Sequence, residues 1–319
     1  MSSNLPKIFI GFIIYNGSTS KYLPYFLESL KKQTLKNVKI LAFNNGDEKA
    51  ENCKFIKDNY PEIEIMGEGN NLGFSAAYNQ MISRAVEGQA DYFWVTNPDI
   101  FYNEDVLTLL AARLENDGEL GSVCPKLLRW DFEKNIKTEI VDTYGIEIGD
   151  GLRFFDVGQG QPDRFDFRYC NILGPSGASG LYRLSALEKI KEKKKYFDES
   201  MFMYKEDCDL NYRLFLAEWE SVCVPEAVGW HDRTASARGA GDLAILRNRS
   251  QKSRQVRVWS FKNQQIIFWK YWKLQSSAVK FSIFVYEIKT LVYVLLFERF
   301  LLIEAWRVWR GRASLIRYG

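Results

Sequence analysis

Residues 8–17 read IFIGFIIYNG, and the fold can be argued outward from them. Ile8 to Tyr15 is a short, β-rich, nearly all-apolar run, as expected of a strand covered on both faces in a parallel sheet, and Asn16-Gly17 ends it as a turn. A helical pattern from Tyr22 to Leu30 follows, then a second strand, Val38 to Phe43, closed by Asn44-Asn45-Gly46-Asp47. The alternation continues through a helix over 48–59, a strand over 63–66, a helix over 74–85, the strand Tyr92-Phe93-Trp94-Val95-Thr96 and a helix over 104–114. Strands and helices alternating at this spacing predict βαβ units, hence a Rossmann-like α/β domain with a mostly parallel sheet flanked by helices.

In such sheets ligands bind beyond the carboxyl ends of the strands, so the polar strand ends carry the argument. Asn16-Gly17 and 44–47 are turn signals in their own right. Asn97-Pro98-Asp99 is more pointed, because it follows a buried-looking strand and offers a carboxylate where a diphosphate-bound divalent cation needs a hard oxygen ligand. No GxxxxGK[ST] and no GxGxxG follows a strand, so neither an ATP-type phosphate loop nor a dinucleotide fingerprint is supported. Residues 70–79, NNLGFSAAYN, open a helix with small residues that admit another backbone, a ligand or close helix packing.

Beyond Asp117 the regularity falls. Short strands over 124–130, 146–148 and 152–157 suggest an antiparallel extension that could wall an acceptor site. Gly174 to Gly180 then precedes Leu181-Tyr182-Arg183, a strand whose small neighbours would floor something bulky. The richest stretch is 196–232. Glu206, Asp207 and Asp209 stand at the mouth of a helix marked by Leu210, Leu214, Phe215 and Trp219. Acids there fit helix capping. With Phe202, Met203 and Tyr204 before them, and a strand from Ser221 to Val224 leading to the only histidine, His231, they also fit a catalytic base and a metal ligand in one cleft.

The net charge of +3 conceals a division. Residues 1–237 carry 27 Lys+Arg against 36 Asp+Glu, whereas 238–319 carry 16 against 4. A basic, aromatic tail can meet nucleic acid, an anionic membrane or a polyanionic substrate, but the acidic first part and the lack of any recognition motif oppose nucleic acid. Five scattered cysteines without a CxxC pair, and no secretory leader ahead of them, predict a reduced, cytoplasmic setting. The longest uncharged run of the tail, Thr290 to Phe297, falls short of the roughly 20 apolar residues that a spanning helix needs. Cations crowd at Arg247, Arg249, Lys252, Arg254 and Arg257, followed by Trp259, Phe261, Phe268, Trp269, Tyr271 and Trp272. This segment fits a lid from which Lys262 or Arg254 reaches a diphosphate, or a solvated helix face. Residues 281–312, with Trp306, Trp309, Arg299, Arg307, Arg310 and Arg312, fit an amphipathic helix lying on a membrane, an oligomer contact or packing on the catalytic domain.

In their order these pieces resemble the inverting glycosyltransferases of family 2, with the GT-A fold, and within them the rhamnosyltransferase-like branch. Tyr15-Asn16, 44–47, Asn71 to Asn79, Asn97-Pro98-Asp99, Gly177 to Arg183, Phe197 to Leu210 and Val224 to His231 each match a family motif, so the resemblance spans about residues 8–232. It implies a catalytic domain over 1–237, with a nucleotide-sugar half (1–117) and an acceptor and catalytic half (118–237), followed by a basic, amphipathic helical extension (238–319). It implies Asp207 as the general base, Glu206 orienting it or binding sugar hydroxyls, and Asp99 with His231 as ligands of Mg²⁺ or Mn²⁺. Nucleotide-sugar contacts are expected from Tyr15, Asn16, Asn45, Asp47, Asn71, Gly73, Asn79, Asn97, Asp99 and Lys262. The implied reaction moves a sugar, dTDP-rhamnose being the favoured donor and a UDP-sugar the alternative, onto a glycan or polyprenyl-diphosphate-linked glycan at the inner face of the cell membrane. A homo-oligomer and an inactive sugar-binding relative fit too. A nucleotidyltransferase would want a glycine- and basic-rich loop that Tyr15-Asn16-Gly17-Ser18 does not supply. Two positions depart from the family pattern. Asn44 replaces the usual acid of the second motif, and Lys262-Asn263 stands for Arg-Asn, which keeps the charge without the bidentate fork.

Overall fold

The computed structural model describes residues 5–46, 49, 51–164, 171–233 and 252–315. Asp47, Cys170, Arg247 and Arg249 lie outside them, as does the expected domain boundary at 237/238.

Chain order begins β1 (Ile8–Ile14), α1 (Asn16–Ser20), α2 (Leu23–Lys31), β2 (Val38–Asn44), α3 (Glu51–Asn59), β3 (Glu64–Met66), α4 (Gly73–Glu87), β4 (Tyr92–Thr96), β5 (Ile100–Tyr102) and α5 (Val106–Glu115). It continues with β6 (Leu120–Asp131), β7 (Ile136–Thr143), β8 (Ile146–Gly149), β9 (Arg153–Asp156), β10 (Ser179–Arg183), α6 (Leu184–Ile190), α7 (Glu206–Leu216) and β11 (Glu220–His231). Three helices close it: α8 (Arg254–Tyr271), α9 (Ser277–Phe297) and α10 (Leu301–Leu315).

Nine strands share one sheet in the order β3-β2-β1-β4-β10-β6-β11-β5, with β7 on β6, while β8 and β9 form a separate hairpin. The first four are parallel, and β1 is buried along almost its whole length, as an all-apolar central strand must be. β10 runs antiparallel between β4 and β6, and β11 lies parallel to β6 with a bulge at Val224/Val228. The bulge absorbs Pro225, which cannot donate to a ladder, and delivers His231 to the register of Ile100.

One core cluster packs α2 and α5 on the sheet; another packs α4, α6 and α7 opposite. The tail is not a free arm. Ile266, Ile267, Phe268 and Tyr271 of α8 join Met201, Cys208 and Tyr212 in a third cluster. Beneath it Lys270 Nζ, only 1% exposed, lies 2.8 Å from Asp209, 3.2 Å from Asp198 and 3.4 Å from Glu192, and Arg213 completes the network on Asp209 at 3.0 Å. Asp209 is therefore the anchor for α8, not a member of the cleft. The described cysteines Cys53, Cys124, Cys208 and Cys223 are buried.

Candidate functional site

A cleft of about 1060 Å³ opens at the carboxyl ends of β1, β2 and β4. Tyr15, Asn45, Asn71, Asn97, Asp99 and His231 line it together with Ser176, Gly177, Glu206 and Asp207, and Phe154 and Phe155 of the hairpin and Trp259 of α8 complete the wall. The elements that bring these side chains together are recognisable one at a time.

Asp207 sits in the first turn of α7. Its Oδ2 accepts the Gly177 backbone N–H at 2.8 Å and its Oδ1 that of Cys208 at 2.8 Å, so the carboxylate is fixed in direction while lone pairs remain on both oxygens. A side chain at Gly177 would press on that carboxylate, which explains the small residue there, and Gly174 likewise floors the Asn211 side chain. Glu206 is buried, and its Oε2 finds no partner. Burial, reinforced by the neighbouring charge of Asp207, pushes its carboxyl well above the usual range, which favours the protonated form beside Asp207.

Across the cleft, His231 joins two carboxylates. Its Nδ1 is 2.8 Å from Asp142 Oδ2 and its Nε2 3.3 Å from Asp99 Oδ1. Burial depresses the imidazole pKa, but Asp99 and Asp142 outweigh it and carry it to about 10. Asp142 is in turn bonded by Arg233, which also holds Asp156 at 2.9 Å. Asp99 Oδ1 is buried and its polar neighbour is Nε2 in that ion pair, too poorly aligned for a hydrogen bond. A cation that displaced the Nε2 proton would find both atoms ready, with Asp142 holding the other ring nitrogen as an outer carboxylate orients a metal-ligating histidine. The pair therefore suits a divalent cation that completes its shell from a diphosphate, which is how Mg²⁺ is ordinarily bound. Among the described residues no group of three or more His, Cys, Asp or Glu side chains makes a closed metal site.

Within the NNLGFSAAYN segment, Asn71 lines the cleft, while Gly73, Ser75 and Asn79 hold neighbouring backbone. Gly73, at φ +80, meets the Phe202 carbonyl so closely that a Cβ would lie 2.5 Å from it. The Phe74 N–H donates to that same carbonyl, and Ser75 Oγ donates to Met201 O. Asn79 is buried and fully occupied: Oδ1 accepts from Tyr196 N and Phe197 N, and Nδ2 donates to Phe197 O and Glu199. These residues hold the loop that leads into Asp207. Asn45, although on the wall, accepts from Leu72 N and donates to Gly73 O, tying β2 to the same segment.

Four expected ligand contacts thus stand away from the cleft wall. Gly73 and Asn79 are positioning elements for the 196–202 loop. The side chain of Asn16, exposed, turns back to accept from Ser18 N. Lys262 Nζ donates to Ser200 O at 3.0 Å and does not reach the cleft, while Arg254 stacks over Phe300. The residue that matters in that motif is the next one. Asn263 Nδ2 donates to Met203 O at 2.9 Å and Tyr204 O at 2.6 Å, clamping a loop in which Tyr204 and Lys205 both adopt left-handed backbone, at φ +71 and +67. Such conformations are costly for non-glycine residues and persist only when held.

The cations lining the cleft, among the described residues, are Lys21, Lys205 and Arg233. Arg233 was marked in the sequence only by its place two residues after His231. Asp142 and Asp156, from the irregular strands, carry no local signal. Tyr22, whose hydroxyl donates to Asp232 at 2.6 Å, reads in the sequence as an ordinary helix start.

Residues 10–191, more than half of the chain, match the family model "Glycosyl transferase family 2". Over 233 residues the chain is 29% identical to an N-acetylglucosaminyl-diphospho-decaprenol L-rhamnosyltransferase of Mycobacterium tuberculosis, covering 69% of this chain and 74% of that protein. Among solved structures, it resembles a mannosyltransferase of Pyrobaculum calidifontis in complex with GDP-Man and Mn²⁺, at 12% identity and a TM-score of 0.55 over 98% of this chain and 76% of the other. GalNAc-T7 with UDP, GalNAc and Mn²⁺ is a more distant likeness, at 11% identity and a TM-score of 0.53, covering 83% of this chain and about half (51%) of the other.

Proposed function

This chain belongs to glycosyl transferase family 2, and from that premise we propose that it is a metal-dependent, inverting enzyme in which Asp207 takes the proton of the acceptor hydroxyl. The observation that carries the reading is the fixed Asp207 carboxylate lining one cleft with Asp99 and His231, with Glu206, whose carboxyl is raised by burial, beside it. As the hydroxyl loses its proton to Asp207, its oxygen bonds to the anomeric carbon, the bond from that carbon to the diphosphate oxygen breaks, and the nucleoside diphosphate leaves from the opposite face. One base and no covalent sugar intermediate mean inversion. Asp99 and His231 would hold Mg²⁺ or Mn²⁺, which supplies charge neutralisation for a leaving diphosphate. Tyr15, Asn71 and Asn97 would contact the nucleotide sugar, and Arg233 and Lys21 are better placed than Lys262 to face its phosphates.

For the donor we favour dTDP-rhamnose, with a UDP-hexose as the second reading. For the acceptor we favour a polyprenyl-diphosphate-linked glycan at the inner face of the cell membrane. The support is the rhamnosyltransferase relative, whose name specifies a diphospho-decaprenol substrate, together with Phe154 and Phe155 on the cleft wall. The test is nucleotide release from dTDP-, UDP- and GDP-sugars with and without Mn²⁺, comparing wild type with Asp207→Asn. Turnover of one donor, lost on chelation and reduced by at least about 10²-fold in the variant, is expected. A variant that turns over like wild type removes Asp207 as the base.

A further inference from the structure

The last two helices are built inside out. Along α9, Phe281, Phe284, Ile288, Leu291, Val292 and Leu295 recur at helical spacing as one stripe, and that stripe faces outward, with Phe281 67% and Phe284 59% exposed. At the turn into α10, Leu296 (65%) and Phe297 (70%) continue it, followed by Ile303, Trp306 and Trp309. An exposed apolar face of this extent is not ordinary monomer surface.

The carboxylates point the other way. Residues 277–315 contain three acids against six Lys and Arg. Glu298 is buried against Arg257 at 2.9 Å, Glu287 accepts both of its bonds from Gln265, and Glu304 pairs with Arg307 at 2.7 Å. Lys289, Arg299, Arg307 and Arg310 remain exposed around the apolar stripe, and Arg310 and Arg312 lie over the rings of Trp306 and Trp309. Apolar centre, cationic rim and Trp at the edge match what an anionic bilayer surface presents: acyl chains beneath negative headgroups, with amphipathic rings between. A second copy of the chain would instead bring this basic rim against its own like charge. Among the described residues no helix is long and apolar enough to cross a membrane, so the face lies on the surface.

The face also adjoins the cleft. α9 packs at Ser282 and Ile283 against Gly151, in the turn of the hairpin whose Phe154 and Phe155 line the site, and Arg153 spans from Phe155 to Tyr286 of α9. From this juxtaposition we infer that the outward faces of α9 and α10 dock the protein on an anionic membrane, so that a lipid-linked acceptor reaches Asp207 past the β8–β9 hairpin. The purpose rests on the acceptor reading above, but the docking does not.

The experiment is cosedimentation of the full chain with vesicles of phosphatidylglycerol and phosphatidylcholine, against vesicles of phosphatidylcholine alone, with light scattering on the protein by itself. Tighter binding to the anionic vesicles is expected. Arg307→Glu with Arg310→Glu should weaken it by about tenfold or more, and Leu296→Ser with Phe297→Ser by a similar factor on either vesicle. Neither pair touches the cleft, so nucleotide release with a water-soluble acceptor should be retained; its loss in wild type would sink the enzymatic reading and leave the docking intact. The inference is overturned if the folded wild type fails to sediment with anionic vesicles, or if light scattering shows a dimer that these substitutions dissociate while vesicle binding is unchanged.

Discussion

Replacing Asn263 by Ala removes no group from the cleft, yet it should slow the reaction more than it weakens the fold. Two hydrogen bonds disappear, to Met203 O and Tyr204 O. Each part-buried carbonyl left without its donor costs about 1–3 kcal/mol, so the clamp loses about 2–6 kcal/mol in all. The held conformation is itself uphill, because Tyr204 and Lys205 are left-handed and the second is the N-cap of α7. Once the clamp is gone, the loop has reason to relax, and Asp207, two residues on, moves with it. If about 2 kcal/mol of the loss falls on the population of the competent loop, kcat drops by about 30-fold. α8 stays docked by Lys270 and its apolar neighbours, so the change in unfolding free energy should remain near the bottom of the range. KM for the donor should change little, since Tyr15, Asn97 and Asp99 are carried by β1 and β4. The assay is steady-state nucleotide release alongside urea unfolding. An Asn263→Ala enzyme whose kcat stays within about twofold of wild type, or whose stability falls as far as its activity, would refute the reasoning.

Three further outcomes are expected. Lys270→Met leaves Asp198 and Asp209 without their shared cation and should cost about 3–5 kcal/mol in urea unfolding; stability within error of wild type would show that the network does not anchor α8. Asp209, held down to about 2 by Lys270 and Arg213 against the opposing effect of burial, contributes stability that is present above the ordinary carboxylate pKa and is lost as pH falls from about 4 towards 2, so acid unfolding should shift to higher pH in Lys270→Met. Gly46→Val places a Cβ within 2.5 Å of the Tyr15 ring at a φ of +138, and should raise the donor KM about tenfold by displacing that ring; an unchanged KM would remove Tyr15 from the donor site.

Glu206 gives a prediction of opposite sign. Its carboxyl is raised by burial and by Asp207, so its contribution to stability is fully present below the ordinary carboxylate pKa and is lost as pH climbs from there through the raised folded-state value. Glu206→Gln should flatten this loss without removing Asp207. A thermal stability profile that falls equally in both proteins would show that Glu206 is charged in the folded state.

What the sequence disclosed, and what it concealed, divides along the reach of each residue's partners. β1 is legible because an apolar run of that length has one physical solution, and Asp99 because a carboxylate just past a buried strand has few other purposes. Local patterning even placed Asp207 at a helix mouth. Asp209, two residues later, looked identical to it, and only Lys270, 61 positions away, makes it an internal anchor. Asn79 and Lys262, expected as ligand contacts, stand away from the cleft wall for the same reason. Both lie in motifs aligned with the chemistry, but their polar atoms are spent on the backbone of residues 196–202, more than 60 positions distant. Asn263 inverts the case: in the sequence it is only the second half of a Lys-Asn pair read for its charge, and its clamp exists only because α8 returns across the loop before Asp207. Sequence spacing reports which residues can share a strand end or a helix face. It carries no record of which polar group the tertiary fold will consume, and for Asn79 and Lys262 that consumption places the side chain behind the cleft wall and not on it.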